Sequence, residues 1–387
     1  MIELQTRRAP EKVFLAGLYP PQLSEWDIER SLGELEHLAR AVGAKIMGRE
    51  MQRRRAPHPA HFFGPGKAEI IRHLARAAGA DVLIVDQDLS PAQARSLEHT
   101  LKMKVLDRTE LILDIFAQRA RTRAAKVQVE LAQYQYLLPR LTKMWHHLSR
   151  TGGGIGTRGP GETQLETDRR LVRARIGTLK KRLRSLERHR TLVRSRRRDM
   201  FRVVLVGYTN AGKSTLMNGL SRTKLPVADM PFVTLDSTTR RLYLGDEGSV
   251  LLTDTVGFVG RLPHHLVASF HATLEEVVEA DLLLVVVDVS TSGFDDRLAV
   301  VFATLESIGA ASVDRVLVFN KIDLLDDRRS VMALLRRYEP TAVSISALKH
   351  AGFDDLRQII QRRITNDPVG VPASCAATAV SAVQGVG

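Results

Sequence analysis

RVVLVGYTNAGKS, residues 202–214, is the stretch that decides the fold. Residues 202–206 read as a short apolar strand, and residues 207–214 follow at once with the spacing GxxxxGK(S/T). A strand running directly into such a loop is the context that a phosphate-binding loop requires. Gly207 and Gly212 let the backbone turn, so that successive amides across Tyr208, Thr209, Asn210 and Ala211 point inward. A helix beginning near Lys213 adds its positive end toward bound phosphates. Lys213 should reach the β and γ phosphates, and the Ser214 hydroxyl is a hard oxygen suited to Mg²⁺. The loop specifies nucleoside triphosphate chemistry but does not choose the base.

Three later segments make that choice by their order and spacing. Asp254, Thr255, Val256 and Gly257 follow a strand at 250–253, so that Asp254 can hold the metal through water and the Gly257 amide can reach the γ phosphate. Asn320, Lys321, Ile322 and Asp323 follow a strand at 315–319. A carboxylate at Asp323 accepts from guanine N1–H and N2–H₂, whereas adenine has no donor at N1 and would leave the charge unpaired. Ser346, Ala347 and Leu348, after a strand at 342–345, complete the base pocket through backbone contacts. The four segments together predict guanine nucleotide binding.

Between the first two of them lie Phe232, Val233, Thr234, Leu235 and Asp236, followed by STTRR. A mobile loop here should give a threonine hydroxyl to Mg²⁺ and close over a triphosphate alone. Thr234 is the first choice; Thr238 and Thr239 are alternatives that spacing does not exclude. Phe258 follows Gly257, where many GTPases place a glutamine that orients the attacking water. A phenyl ring cannot do this, so the catalytic side chain is left unidentified and hydrolysis by the isolated chain should be slow until a partner orders the site.

Outward from the nucleotide segments, 387 residues suggest two or three domains. Residues 1–107 alternate short strands (13–18, 81–85, 104–106) with helix patterns at 24–42 and 91–101, a small α/β unit. From Arg108 to about Leu141 helix formers continue unbroken, with Pro139 expected to kink or end the helix. The loop TGGGIGTRGPGET comes next, and then a second helix in which Val172, Ile176, Leu179, Leu183, Leu186 and Val193 keep a seven-residue repeat, which predicts a helical hairpin over 108–199. A nucleotide domain over 200–366 and a disordered tail over 367–387 complete the organisation.

The formal net charge is +14, yet residues 101–200 hold 25 Lys and Arg against 9 Asp and Glu, so this segment carries the entire surplus. Positive charge at that density attracts a polyanion, with salt-dependent affinity. Arg173, Lys180, Lys181 and Arg184 are the candidate phosphate contacts on the helix, and Gly154, Gly156 and Arg158 those in the loop, where backbone could approach RNA closely. Gly154, Gly156 and Gly159 also spell GxGxxG, but no strand precedes them, which argues against a dinucleotide fingerprint. Trp145, His146 and His147 form one short cluster with no third ligand nearby, so no metal site is expected there. The longest uniformly apolar run, 282–287, is too short to span a membrane, and MIELQTRRAPEK lacks an export signal's apolar core. With a single cysteine, Cys375, the expected location is the cytoplasm; peripheral membrane association is left open.

GGGIGTRGPGETQLETDRR at 152–170, GYTNAGKSTL at 207–216, FVTLDSTTRR at 232–241 and DTVGF at 254–258 resemble the HflX family of the Obg-HflX group of GTPases. HFFGPGKAEI at 61–70 matches that family's N-terminal domain more loosely. The resemblance implies an α/β protein: a P-loop GTPase domain, with a mostly parallel sheet and flanking helices, preceded by a small α/β domain and a basic helical hairpin. It maps the Mg²⁺ threonine to Thr234. It implies a monomer that binds the large (50S) ribosomal subunit and its rRNA, with the N-terminal domain and glycine loop near the peptidyl transferase centre, and that splits stalled ribosomes. Some members are described as binding ATP through the N-terminal domain. Ser237 replaces a usual proline, Pro65 interrupts a usual basic pattern, and no extra C-terminal domain is recognisable after 366. The alternative is a GTP-dependent signalling switch whose heptads contact a protein partner; an ATP-driven RNA remodeller ranks below both.

Overall fold

The computed structural model describes residues 10–141, 160–195, 200–221, 230–245, 248–260, 271–325, 333, 336–338 and 342–365. The glycine loop with Gly154, Gly156 and Arg158, the Trp145–His147 cluster, residues 196–198 and the tail with Cys375 lie outside them. The described residues fall into two compact units, one within 1–118 and 129–180, the other within 119–128 and 181–387.

The first unit is built on a parallel sheet of β1 (Lys12–Tyr19), β2 (Lys45–Arg53), β3 (Val82–Val85) and β4 (Lys104–Asp107), in the order β2-β1-β3-β4. Helices α1 (Glu25–Ala41), α2 (Pro65–Ala77) and α3 (Pro91–Leu101) make the crossovers that parallel strands require. Ser24 caps α1 by accepting from the Asp27 amide, and Ser90 and Gln93 form a reciprocal capping box on α3. α4 (Arg108–Arg119) buries Leu111, Ile112, Leu113, Ile115 and Phe116. At its start Arg108 is pinned between Asp86 at 2.7 Å and Glu34 at 2.8 Å, which gives each buried charge a partner.

The helix expected to run unbroken from Arg108 to Leu141 is two helices, α4 and α5 (Arg123–Arg140). The Thr122 hydroxyl accepts from the Ala125 amide at 3.1 Å and so starts a new helix instead of continuing the old one. Pro139 sits one residue before the end of α5. α6 (Pro160–Ser195) is the long basic helix, and Arg175 on it pairs with Glu130 on α5. Arg173, Lys180, Lys181 and Arg184 are all exposed along α6, whereas Leu179 of the heptad seam is buried.

The second unit has a six-stranded sheet of β5 (Arg202–Gly207), β6 (Thr238–Tyr243), β7 (Ser249–Asp254), β8 (Leu282–Asp288), β9 (Arg315–Asn320) and β10 (Ala342–Ser344). Its order is β10-β9-β8-β5-β7-β6; every neighbouring pair is parallel except β6 with β7. The central strands are apolar throughout because both faces are covered. Val203 and Leu205 point into one core with Leu216 and Ile360, and Val204 and Val206 into the other with Val277 and Leu305. Each such side chain contributes roughly 1.5–3 kcal/mol of burial free energy. The flanking helices are α7 (Lys213–Ser221), α8 (His271–Val278), α9 (Phe294–Ser307) and α10 (Phe353–Ile364). The predicted strand and loop segments are thereby set along the carboxyl ends of the parallel strands, where open α/β sheets place their ligands.

Candidate nucleotide site

β5 ends at Gly207 and α7 begins at Lys213, so the loop between them wraps a short radius of backbone. Asn210 has φ +64° and Gly212 φ +92°; a Cβ on Gly212 would run into the Asn320 side-chain nitrogen. Lys213 folds back to donate to the carbonyls of Gly207 at 3.1 Å and Tyr208 at 3.0 Å. Burial pushes its pKa down to about 8, a shift that the nearby Asp254 carboxylate partly offsets.

Three oxygens from three segments converge beside it. Ser214 Oγ donates to Asp254 Oδ2 at 2.6 Å, Thr234 Oγ1 lies 2.8 Å from Ser214 Oγ, and Thr234 Oγ1 donates to the same carboxylate oxygen at 3.2 Å. The other oxygen, Asp254 Oδ1, is buried with no hydrogen-bond partner among the described residues. Burial raises the Asp254 pKa, against the opposing pull of Lys213, Ser214, Thr234 and the Thr255 amide. A hard-oxygen set with an unsatisfied buried carboxylate oxygen fits Mg²⁺, which keeps waters and is held by few protein ligands. Among the described residues no cluster of three or more His, Cys, Asp or Glu could hold a metal ion, so a metal here would depend on hydroxyls and phosphates. Of the alternative threonines, Thr239 Oγ1 is engaged with Thr253 Oγ1 at 3.0 Å across β6 and β7, and Thr238 opens β6.

The loop bearing Thr234 is closed over these groups. Phe232 is buried and its amide donates to Thr209 Oγ1 at 2.9 Å; Leu235 is buried as well. Thr209, Lys213, Ser214, Met230, Val233, Thr234 and Gly257 are among the residues that enclose the remaining cavity, about 60 Å³. Gly257 approaches the loop so closely that a Cβ would lie 2.7 Å from Thr209 Cα. Thr255 Oγ1 donates to the Leu205 carbonyl at 2.7 Å, tying β7 to β5.

Phe258 is 4% exposed and packs with Val204, Val206, Leu274 and Val277. Its backbone bonds the phosphate-binding loop on both sides, accepting from the Thr209 amide at 2.6 Å and donating to the Gly207 carbonyl at 3.0 Å. The ring therefore serves the core and cannot orient an attacking water.

The base-recognition segments meet through Asn320, whose amide donates to the Ala211 carbonyl and whose oxygen accepts from the Ala347 amide. Lys321, at φ +66°, pairs with Asp288 at 2.7 Å. Asp323 lies half-buried in a 3₁₀ turn, Ile322–Leu324. Ser346 is buried and closes a tight turn with Ala351, so Ala347 is held inward while Leu348 is exposed.

Two interactions escaped the sequence. Tyr208 Oη accepts from the Gly260 amide at 2.6 Å, and Asp236 accepts from the amides of Arg121 and Thr122 and from the Thr122 hydroxyl. No spacing rule links residues 114 positions apart.

Family comparisons agree with this geometry. A model described as "GTP-binding GTPase N-terminal" matches residues 29–117, one described as "GTP-binding GTPase Middle Region" matches 119–197, and one described as "50S ribosome-binding GTPase" matches 202–321. The GTPase HflX of Escherichia coli is 45% identical, over 93% of this chain and 84% of that protein. The GTPase HflX of Caldanaerobacter subterraneus is also 45% identical, over 92% of this chain and 81% of that protein. Among solved structures, a GTP-binding protein of Sulfolobus solfataricus in complex with GDP is 24% identical, with 91% of this chain and 99% of that chain covered and a TM-score of 0.47.

Proposed function

The chain belongs to the HflX family of GTPases and hydrolyses GTP, and we propose that it is a monomeric cytoplasmic switch that binds the large ribosomal subunit and dissociates or rescues stalled ribosomes. One observation carries the switch: Thr234, on its own loop, touches both Ser214 and Asp254. Ser214 and Thr234 would bind Mg²⁺ directly and Asp254 through water, with its unsatisfied Oδ1 taking part. When bound, the ion offsets charge on the β and γ phosphates. Lys213 exchanges two backbone carbonyls for those phosphates, the Gly257 amide donates to the γ phosphate, and Asp323 accepts from guanine N1–H and N2–H₂. Loss of the γ phosphate removes what holds Gly257 and Thr234 in place together, and the loop is released.

The ribosomal end of the reading is supported by the exposed Arg173, Lys180, Lys181 and Arg184 on α6 and by the name of the family model over 202–321. Burial of Leu179 and the Arg175–Glu130 pair use part of the heptad seam within the chain, which weighs against the signalling alternative. No described helix is long and apolar enough to cross a membrane. Sedimentation of large subunits with the protein, Mg²⁺ and a non-hydrolysable GTP analogue tests the reading. Co-sedimentation at moderate salt is expected. Changing Arg173, Lys180, Lys181 and Arg184 to Gln should lower the slope of log affinity against log salt by about one for each phosphate no longer neutralised. No co-sedimentation at moderate salt overturns the ribosomal role.

A further inference from the structure

Asp236 stands two residues beyond Thr234 and is fixed at its other side. Its Oδ2 accepts from the amides of Arg121 at 3.3 Å and Thr122 at 3.1 Å, and its Oδ1 accepts from Thr122 Oγ1 at 2.5 Å. The same hydroxyl accepts from the Ala125 amide at 3.1 Å, so Thr122 is the N-cap of α5. A carboxylate bonded to the amides that lead into a helix lies near its positive end, and charge-assisted bonds of this kind are the strong ones. Thr234 in turn is bonded to Ser214 and Asp254. Between the two anchors lies only Leu235, whose side chain is buried. Two peptide steps of extended chain reach no more than about 7 Å, so neither anchor can move several ångströms without breaking the other.

We propose that Thr122 is a positioning residue for the nucleotide switch: the start of α5 holds Asp236, and through it presets the Thr234 loop in its closed position. The coupling is reciprocal, so release of Thr234 also loosens the cap of α5. The proposal rests on the reading of Thr234 as a ligand of the nucleotide's metal. It differs from a plain helix cap in one respect. A cap that only stabilises the fold does not distinguish GTP from GDP, whereas a residue that presets the loop acts on the triphosphate complex alone.

The test measures affinities of the full chain for a fluorescent non-hydrolysable GTP analogue and for fluorescent GDP, both in Mg²⁺. Thr122→Ala is expected to weaken the triphosphate on the order of tenfold, the scale of one charge-assisted bond, and to leave GDP within about twofold. Thr122→Ser, which keeps the hydroxyl, should restore the parent value. Asp236→Ala cuts the same bond from the other end, and should show the same split even where Thr122→Ala folds poorly. The double variant should lose no more than the weaker single. Equal losses for both nucleotides, additive losses in the double variant, or no loss at all overturn the proposal. Thr234→Ala separates this from the underlying reading. If it spares the Mg²⁺-dependent preference for GTP, the metal assignment fails and the proposal fails with it. If it abolishes that preference while Thr122→Ala does not touch it, only the proposal fails.

Discussion

Asn320 and Ala211, 109 residues apart, are joined by a buried hydrogen bond of 2.8 Å from the side-chain amide to the backbone carbonyl. The same side chain accepts from the Ala347 amide at 2.9 Å, so one residue fixes the phosphate loop and the base loop to each other. Asn320→Ala leaves both buried groups without their partner, which costs about 1–3 kcal/mol for each. Urea denaturation should show that loss, and GTP and GDP affinities should fall together, because the base and the β phosphate are common to both.

Lys213 predicts a pH dependence of binding. Its pKa in the free protein is pushed down to about 8 by burial. Phosphates raise it again in the complex. Below about pH 8 the amine is charged in both states and affinity does not change on its account. Above that pH, binding must take up a proton, and affinity falls by up to about tenfold per pH unit. Calorimetry at pH 9 in buffers of different ionisation enthalpy should detect this uptake, which should vanish at pH 7 and in Lys213→Met.

Asp323 is the residue we propose to read the base. Asp323→Asn replaces an acceptor with a donor, which no longer suits guanine N1–H and N2–H₂ but does suit a 2-oxo group. The variant should bind GTP about 100-fold more weakly than the parent and bind xanthosine triphosphate better, by competition against a fluorescent GTP analogue. Unchanged preference for GTP would remove Asp323 from the base site.

Glu110 predicts a pH dependence of stability in the first unit. Burial first, and then Asp107 and Asp114, raise its pKa from 4.5 to about 7. With the folded value above the unfolded one, its contribution is fully present below about pH 4.5 and is lost as pH rises through about 7. Glu110→Gln escapes that loss and should gain roughly 2–3 kcal/mol over the parent at pH 8 but little at pH 4.5, as read from urea midpoints. Parallel pH profiles for the two proteins would remove Glu110 as the cause.

The nucleotide segments are legible in the sequence because their chemistry is local. Gly207 to Ser214 and Asn320 to Asp323 announce themselves by residue type and spacing, and each follows an apolar strand whose faces are both buried. Spacing alone does not separate Thr234 from Thr238 and Thr239; the bonds to Ser214 and Asp254 distinguish it in the structure. Other features are hidden. β2, KIMGREMQR, is half-exposed along its length and so has no alternation to read, and α2 begins at Pro65 directly after Gly64. The break between α4 and α5 is invisible because helix formers run through it, and the carboxylate that Thr122 meets there comes from residue 236. Phe258 can be read as the wrong side chain for water activation, but its place in the core cannot.

That place gives the most direct test. With Phe258 packed against Val204 and Val277, the side chain that follows Gly257 is held in the core and cannot orient the attacking water. Steady-state GTP hydrolysis should be measured at fixed Mg²⁺ and moderate salt, with and without purified large ribosomal subunits. Slow turnover alone and stimulation of about tenfold or more by the subunits are predicted, on the scale of a partner completing a GTPase site. Rapid turnover alone, or a rate that large subunits leave unchanged, would contradict it.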